Sequence, residues 1–235
     1  MLLFLFFIVK KNDYNLFIFL FIIMNSYNDF EEIIFKSNGI IYGGYVRDKI
    51  LKINPNDIDI NFKERNDGLK FIEILKDFGN IIKIRTYNLN YIGIERNLEY
   101  KFIEIEINSN IFKFDLSFPY PNQNLYNQEP PFYCLDFESN GFLLDKNGIR
   151  YSKCTGGYID NYNEKERKLA IREILIDMSN KETKIIKENK TKNDEKYMIM
   201  RILKMQEKKF NIINTPFFLI SLIKNKNKNK NKNKN

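Results

Sequence analysis

Residues 57–60 read Asp57-Ile58-Asp59-Ile60. Two carboxylates at i and i+2 of a strand project from one face, and hard oxygen donors of this kind suit a divalent cation such as Mg²⁺ or Mn²⁺. Upstream stands Gly43-Gly44-Tyr45-Val46-Arg47-Asp48. Paired glycines opening a helix let backbone amides approach an anion, and a guanidinium one turn later is a good phosphate partner. A third acid, Asp115, lies within Ile111-Phe112-Lys113-Phe114-Asp115-Leu116-Ser117. An acid flanked by Phe112, Phe114 and Leu116 is costly to bury unless a metal or a partner stabilises its charge. Glu104 and Glu106 share the i, i+2 spacing and compete for that role, but they read more simply as the exposed edge of a half-buried strand. Each motif alone has an ordinary reading, as a tight turn or as capping residues after Asn54-Pro55-Asn56. In this order they describe a phosphate cradle beside carboxylates, equipment for holding a nucleoside triphosphate through metal.

The elements that would position these groups follow from periodicity. Gly39 to Tyr42 reads as a strand, Tyr45 to Leu51 as a short helix, Lys52 to Asn56 as a loop and Asp57 to Phe62 as the carboxylate strand. Asp29 to Phe35 has helical spacing, and Asp67 to Phe78 predicts an amphipathic helix stopped by Gly79. Asn80 to Tyr87, Tyr91 to Glu95, Leu98 to Ile107 and Ile111 to Ser117 alternate apolar and polar residues, with a hairpin turn at residues 108–110. The fold class is α+β, with a central sheet and helices.

Gly-Gly-x-Val-Arg-Asp followed twelve residues after Gly44 by Asp-x-Asp resembles the head domain of the class II tRNA nucleotidyltransferases and bacterial poly(A) polymerases, within the DNA polymerase beta superfamily. The resemblance implies that Asp57, Asp59 and Asp115 are catalytic metal ligands and that Gly43, Gly44 and Arg47 contact the triphosphate. Two metal ions about 3.5 to 4 Å apart would then serve an in-line attack of a 3′-hydroxyl on the α-phosphate. Asp136-Phe137-Glu138-Ser139-Asn140 resembles the family's Arg-Asp-Phe-Thr-Ile-Asn segment, which implies contacts from Asp136 and Asn140 to the nucleotide. Leu135 stands where that family has arginine. Arg201-Ile202-Leu203-Lys204, with Phe210 beyond, resembles the neck helix and implies a nucleotide contact from Arg201. Met198, Ile202 and Met205 also fit an ordinary packing helix. The family's Glu-Asp-x-x-Arg base-selecting element is absent, so the resemblance, over about Asn28 to Asn211, points to nucleotidyl transfer more strongly than to CCA addition. The expected partners are an NTP, with ATP foremost, and an RNA 3′ end.

Composition narrows the field. The 235 residues are 43% hydrophobic and contain no histidine, which excludes a Ser-His-Asp triad and any His-ligated metal. Cys134 and Cys154 are too few for a zinc site, and nothing in a chain of this size calls for a disulfide between them, so a reducing compartment, cytoplasmic or nuclear, is the expectation. The formal charge of +8 is concentrated at the ends: Lys224 to Asn235 alternates Lys and Asn, and the first 23 residues add Lys10 and Lys11 against Asp13. The body between is close to neutral. The expected organisation is a hydrophobic leader over residues 1–23, a head domain over 24–160, a helical region over 161–223 and a disordered Lys/Asn tail over 224–235. The apolar runs Met1 to Val9 and Leu16 to Met24 are each too short to span a bilayer, and no stable membrane insertion is expected. Translation from Met24 would account for the leader; membrane association through it is the alternative. Two further readings stay open: an active transferase and a catalytically weakened nucleotide- or RNA-binding relative.

Overall fold

The computed structural model describes residues 3–11, 14–22, 26–87, 98–123, 129–130, 135–153, 159, 161–186 and 192–215. The expected strand Tyr91 to Glu95, both cysteines and the Lys/Asn tail lie outside them. The chain folds as two units that interleave along the sequence: residues 1–41, 54–127 and 144–148 form one, and residues 42–53, 128–143 and 149–235 the other.

In the first unit, Leu3–Lys11 (β1) and Tyr14–Ile22 (β2) pair antiparallel as a separate two-stranded sheet. A 3-10 turn at Tyr27–Phe30 leads into Glu31–Lys36 (α1), then Gly39–Tyr42 (β3). Ile58–Phe62 (β4) begins one residue after Asp57. Arg65–Phe78 (α3) buries Phe71, Ile72, Leu75 and Phe78 as one apolar stripe, while Leu69, an apolar residue of the same helix, is exposed. Gly68 of that helix lets it approach the sheet, because a Cβ there would stand 2.4 Å from the Phe118 ring. Asn80–Tyr87 (β5), Leu98–Ile107 (β6) and Asn110–Pro119 (β7) follow. The β6–β7 turn places Asn108 and Ser109 at φ of 50° and 64°, the paired left-handed geometry whose twist matches a two-residue hairpin.

Seven strands form one sheet in the order β5-β6-β7-β4-β3, then Phe142–Asp145 (β8) and Gly148–Tyr151 (β9). The strands β3, β8 and β9 each have residues in both units. The sheet is mixed: β5 and β7 flank β6 antiparallel, while β7 runs parallel to β4. The expected mixed α+β class with a central sheet is what forms. One face packs an aromatic core in which Phe30, Phe62, Phe71 and Phe114 are fully buried. Phe114 meets Phe30 edge-on with centroids 5.0 Å apart and Phe71 at 5.9 Å.

In the second unit, Gly44–Ile50 (α2), Glu164–Ser179 (α4) and Lys192–Glu207 (α5) are the helices. Asn163 and Glu166 close a reciprocal capping box at the start of α4. Phe137, Met198, Ile199, Ile202, Met205, Phe210 and Ile212 form this unit's core, so the apolar face expected of α5 is buried. Glu182–Thr183 (β10) and Asn211–Ile212 (β11) pair in parallel. No helix among the described residues is long and apolar enough to cross a membrane.

Phe114→Ala deletes a fully buried ring whose space neighbouring rings cannot refill. A loss of about 3–5 kcal/mol is expected, read as a lower urea midpoint at unchanged slope.

Candidate active site

The carboxylates belong to the first unit. In the β4–β7 ladder, Ile58 pairs with Phe114, Asp59 with Asp115, Ile60 with Leu116 and Asn61 with Ser117. Adjacent strands lie about 4.8 Å apart, so Asp59 and Asp115 stand side by side on the face opposite the aromatic core. Both are half-buried, as is Asp57 just before the strand. The next pair locks this register: Asn61 Nδ2 donates to Ser117 O at 3.2 Å and to Ser117 Oγ at 3.1 Å, and Ser117 Oγ donates to Ile60 O at 3.3 Å. Among the described residues, no three His, Cys, Asp or Glu side chains are gathered into a metal-holding cluster.

Two tyrosines that sequence reasoning missed contact this region. Tyr27 Oη donates to Asn56 O at 2.7 Å and accepts from Lys113 N–H at 3.0 Å, tying the residue before Asp57 to the strand bearing Asp115. Its hydroxyl is pushed up to about 12, mainly by burial, with the Asp57 charge adding to the rise and the Lys113 amide opposing it. Tyr87 Oη donates to Asp115 Oδ1 at 2.9 Å, and its ring stacks on Tyr100 with centroids 5.6 Å apart. Burial first, then the charge of Asp115, the hydrogen bond to it and the charge of Asp59, push the Tyr87 hydroxyl far above the usual tyrosine range. Glu104, the competitor for the third acid, lies 3.6 Å from both Lys83 and Lys113, and Glu106 is exposed. The only signal for Tyr87 in the sequence was its place at the end of an alternating run; Tyr27 carried none.

The remaining expected residues lie in the second unit. Gly43 adopts φ 72°, a conformation that suits glycine, and its N–H donates to Phe142 O at 3.2 Å. Gly44 opens α2, and a Cβ there would meet Arg47 Nη2 at 3.5 Å. Arg47 is 4% exposed. Its Nε and Nη2 donate to Asp48 Oδ1 at 2.9 and 2.7 Å, and Nη1 donates to Asn140 Oδ1 at 2.6 Å and to Met205 Sδ at 3.1 Å. The guanidinium also lies over the Phe210 ring at 5.5 Å. Lys208 donates to the second oxygen of Asp48, so one buried carboxylate is held by two cations from residues far apart in sequence. Asp136 Oδ2 accepts from Arg201 Nε at 2.7 Å, while Asp136 Oδ1 is buried without a hydrogen-bond partner. Leu135 is buried. The structure therefore brings together Asp59 with Asp115, Arg47 with Asn140, and Asp136 with Arg201.

No protein-family model matches the chain, and no curated protein matches it. Similar solved structures include a CCA-adding enzyme in complex with ATP (17% identity, TM-score 0.47, 80% of this chain and 39% of that one). An apo form of a CCA-adding enzyme is also similar (16% identity, TM-score 0.46, 82% and 42%). A third is the Thermotoga maritima CCA-adding enzyme complexed with tRNA_CCA (18% identity, TM-score 0.45, 82% and 40%). The chain spans about two fifths of the length of these structures.

Two outcomes test the local chemistry. Asp48→Ala leaves the buried Arg47 guanidinium without its carboxylate and is expected to cost about 3–5 kcal/mol in urea unfolding. Tyr27 holds its proton more tightly folded than unfolded. Its contribution is complete below the ordinary tyrosine value of 10.0 and is lost as pH rises from there through about 12. Thermal unfolding between pH 8 and 12 should show that fall, and Tyr27→Phe should lack part of it.

Proposed function

We propose that the chain is a template-independent nucleotidyltransferase that moves a nucleoside monophosphate, AMP foremost, from an NTP to an RNA 3′ end. The observation that carries this reading is the in-register pair Asp59 and Asp115 on the face of the parallel strands opposite the aromatic core, with Asp57 two residues before Asp59. The acceptor and the nucleotide come from the resemblance of residues 43–60 to the nucleotidyltransferase head.

In the transfer, the 3′-hydroxyl gives up its proton to solvent as its oxygen bonds to the α-phosphorus, the bond between the α-phosphorus and its bridging oxygen to the β-phosphate breaks, and pyrophosphate leaves. Asp57, Asp59 and Asp115 would hold Mg²⁺ or Mn²⁺. Carboxylate oxygens are hard ligands of the right chemistry, but among the described residues the three acids are not gathered into a metal-holding cluster. When bound, the metal would stabilise negative charge on the attacking and leaving oxygens. Gly44, which opens α2, would serve the triphosphate through its backbone amide; Gly43, whose N–H is taken by Phe142 O, would serve through its left-handed turn, and Arg47 by fixing Asn140. Asp136 and Arg201, with the unpartnered Asp136 Oδ1, would serve the nucleoside.

One observation favours the second reading, a relative that binds nucleotide or RNA without efficient transfer. Where the family carries an arginine, Leu135 is a buried apolar side chain.

Extension of a labelled RNA oligonucleotide by the full chain, with each NTP offered singly and Mg²⁺ or Mn²⁺ present, separates the two. Asp57→Ala and Asp59→Ala are each expected to reduce extension at least a hundredfold, to background, while melting stays cooperative. Full activity in either variant would refute the ligand assignment. ATP binding without extension by the folded wild type would favour the second reading.

A further inference from the structure

We propose that Arg85, backed by the Phe102 ring, seats a single-stranded RNA acceptor and directs its hydroxyl end toward Asp115 and Asp59. The inference deepens the transfer reading given above and rests on it for the acceptor. The sheet lines these residues up. Arg85 pairs with Phe102 across β5 and β6, Phe102 with Asp115 across β6 and β7, and Asp115 with Asp59 across β7 and β4. Residues opposite one another in a ladder share a face, so one transverse row reads cation, aromatic ring, acid, acid. With strands about 4.8 Å apart, the Arg85 and Asp115 positions stand about 10 Å from each other along that row. Arg85 is exposed, and Phe102, Asp115 and Asp59 are half-buried. The adjoining row of Tyr100, Ser117 and Asn61 is buried, so a ligand reaches the acids along the Arg85 row.

Charge decides what the row can hold. Arg85 lies over the Phe102 ring at 5.8 Å and has no carboxylate partner among the described residues. Lys83 lies over the same ring at 5.7 Å, and Lys83 and Lys113 share one carboxylate, Glu104, at 3.6 Å from each. The β5 end of the face therefore carries surplus positive charge around an aromatic ring. That combination suits a single strand, whose phosphates meet the cations while a base stacks on a ring or a guanidinium plane. The other end of the row carries two carboxylates, and both charges reach the Tyr87 hydroxyl. A phosphate is attracted at Arg85 and repelled at Asp115 and Asp59. A strand consequently lies in one sense, its phosphates over β5 and β6 and an end without phosphate over the acids. A uniformly basic face would take either end, or the middle, equally well.

The test is fluorescence anisotropy of the full chain with a short 5′-labelled RNA in EDTA, so that no metal takes part. The RNA ends in a 3′-hydroxyl or a 3′-phosphate, and ATP without RNA is titrated separately. Wild type is expected to bind the hydroxyl-ended RNA more tightly. Arg85→Ala is expected to bind it about tenfold more weakly, with a plot of log affinity against log salt shallower by about 0.7 for the lost phosphate contact. Phe102→Leu should weaken binding at unchanged salt slope. Arg172→Ala, which removes an exposed arginine of α4 that also has no carboxylate partner among the described residues, should match wild type. Wild-type RNA affinity in Arg85→Ala, beside RNA extension by wild type, would overturn the seat and leave the transfer reading standing. Equal weakening in Arg172→Ala would overturn it too, since net charge alone would then govern binding. Loss of ATP affinity in Arg85→Ala with RNA affinity intact would assign the cation to the NTP and overturn the seat, and equal wild-type affinity for the two RNA ends would overturn the direction. Absence of RNA binding by wild type would overturn both the seat and the RNA acceptor.

Discussion

The parallel pairing of β4 with β7 is the constraint on which the rest of the first unit depends. A slip of either strand by one residue would turn Asp59 or Asp115 into the aromatic core and bring Ile58 or Phe114 to the opposite face. Two features oppose that slip from opposite sides of the sheet. Ile58, Ile60, Phe114 and Leu116 are fully buried on one face, and on the other the Asn61 amide bonds both the backbone and the hydroxyl of Ser117. Apolar burial supplies the energy. The amide fixes which residue stands opposite which, and so makes two carboxylates neighbours despite their repulsion.

The second unit solves a different electrostatic problem. Asp48 is 1% exposed and lies between Arg47 and Lys208. Removing three charges from water is expensive, and such clusters contribute more to geometric specificity than to net stability. Here the specificity is concrete, since Arg47 also reaches Asn140, Met205 and Phe210. One guanidinium thereby orients a residue of the 3-10 turn Glu138–Asn140, a helix and the segment after that helix.

Much of this was legible in the sequence where periodicity was strong. The Gly79 stop of α3, the Asn108-Ser109 turn and the alternation of β6 and β7 lie where residue types place them, because a single buried face dictates each pattern. The side-by-side placement of Asp59 and Asp115 follows from that alternation once β4 and β7 are neighbours, but the neighbour relation is a matter of topology, which no local pattern encodes. Tyr27 and Tyr87 were not legible for the same reason: each acts through one hydroxyl on a residue 29 or 28 positions away, and a tyrosine in an alternating strand looks like packing. Lys208 was hidden further still, 160 positions from Asp48. The burial of Arg47 was equally invisible, since an arginine one turn into a short glycine-opened helix reads as a phosphate contact until its partners are in place.

The interleaving of the two units has a consequence for synthesis. By the time Gly148 has left the ribosome, every residue of the first unit has been made, and its sheet pairings and aromatic core can form. Residues 42–53, which emerge early, belong instead to the unit whose core needs Met205, Phe210 and Ile212. Asp48 and Arg47 are therefore born about 160 residues before the lysine that completes their cluster. During that interval residues 42–53 lack the core that the later part of their unit supplies.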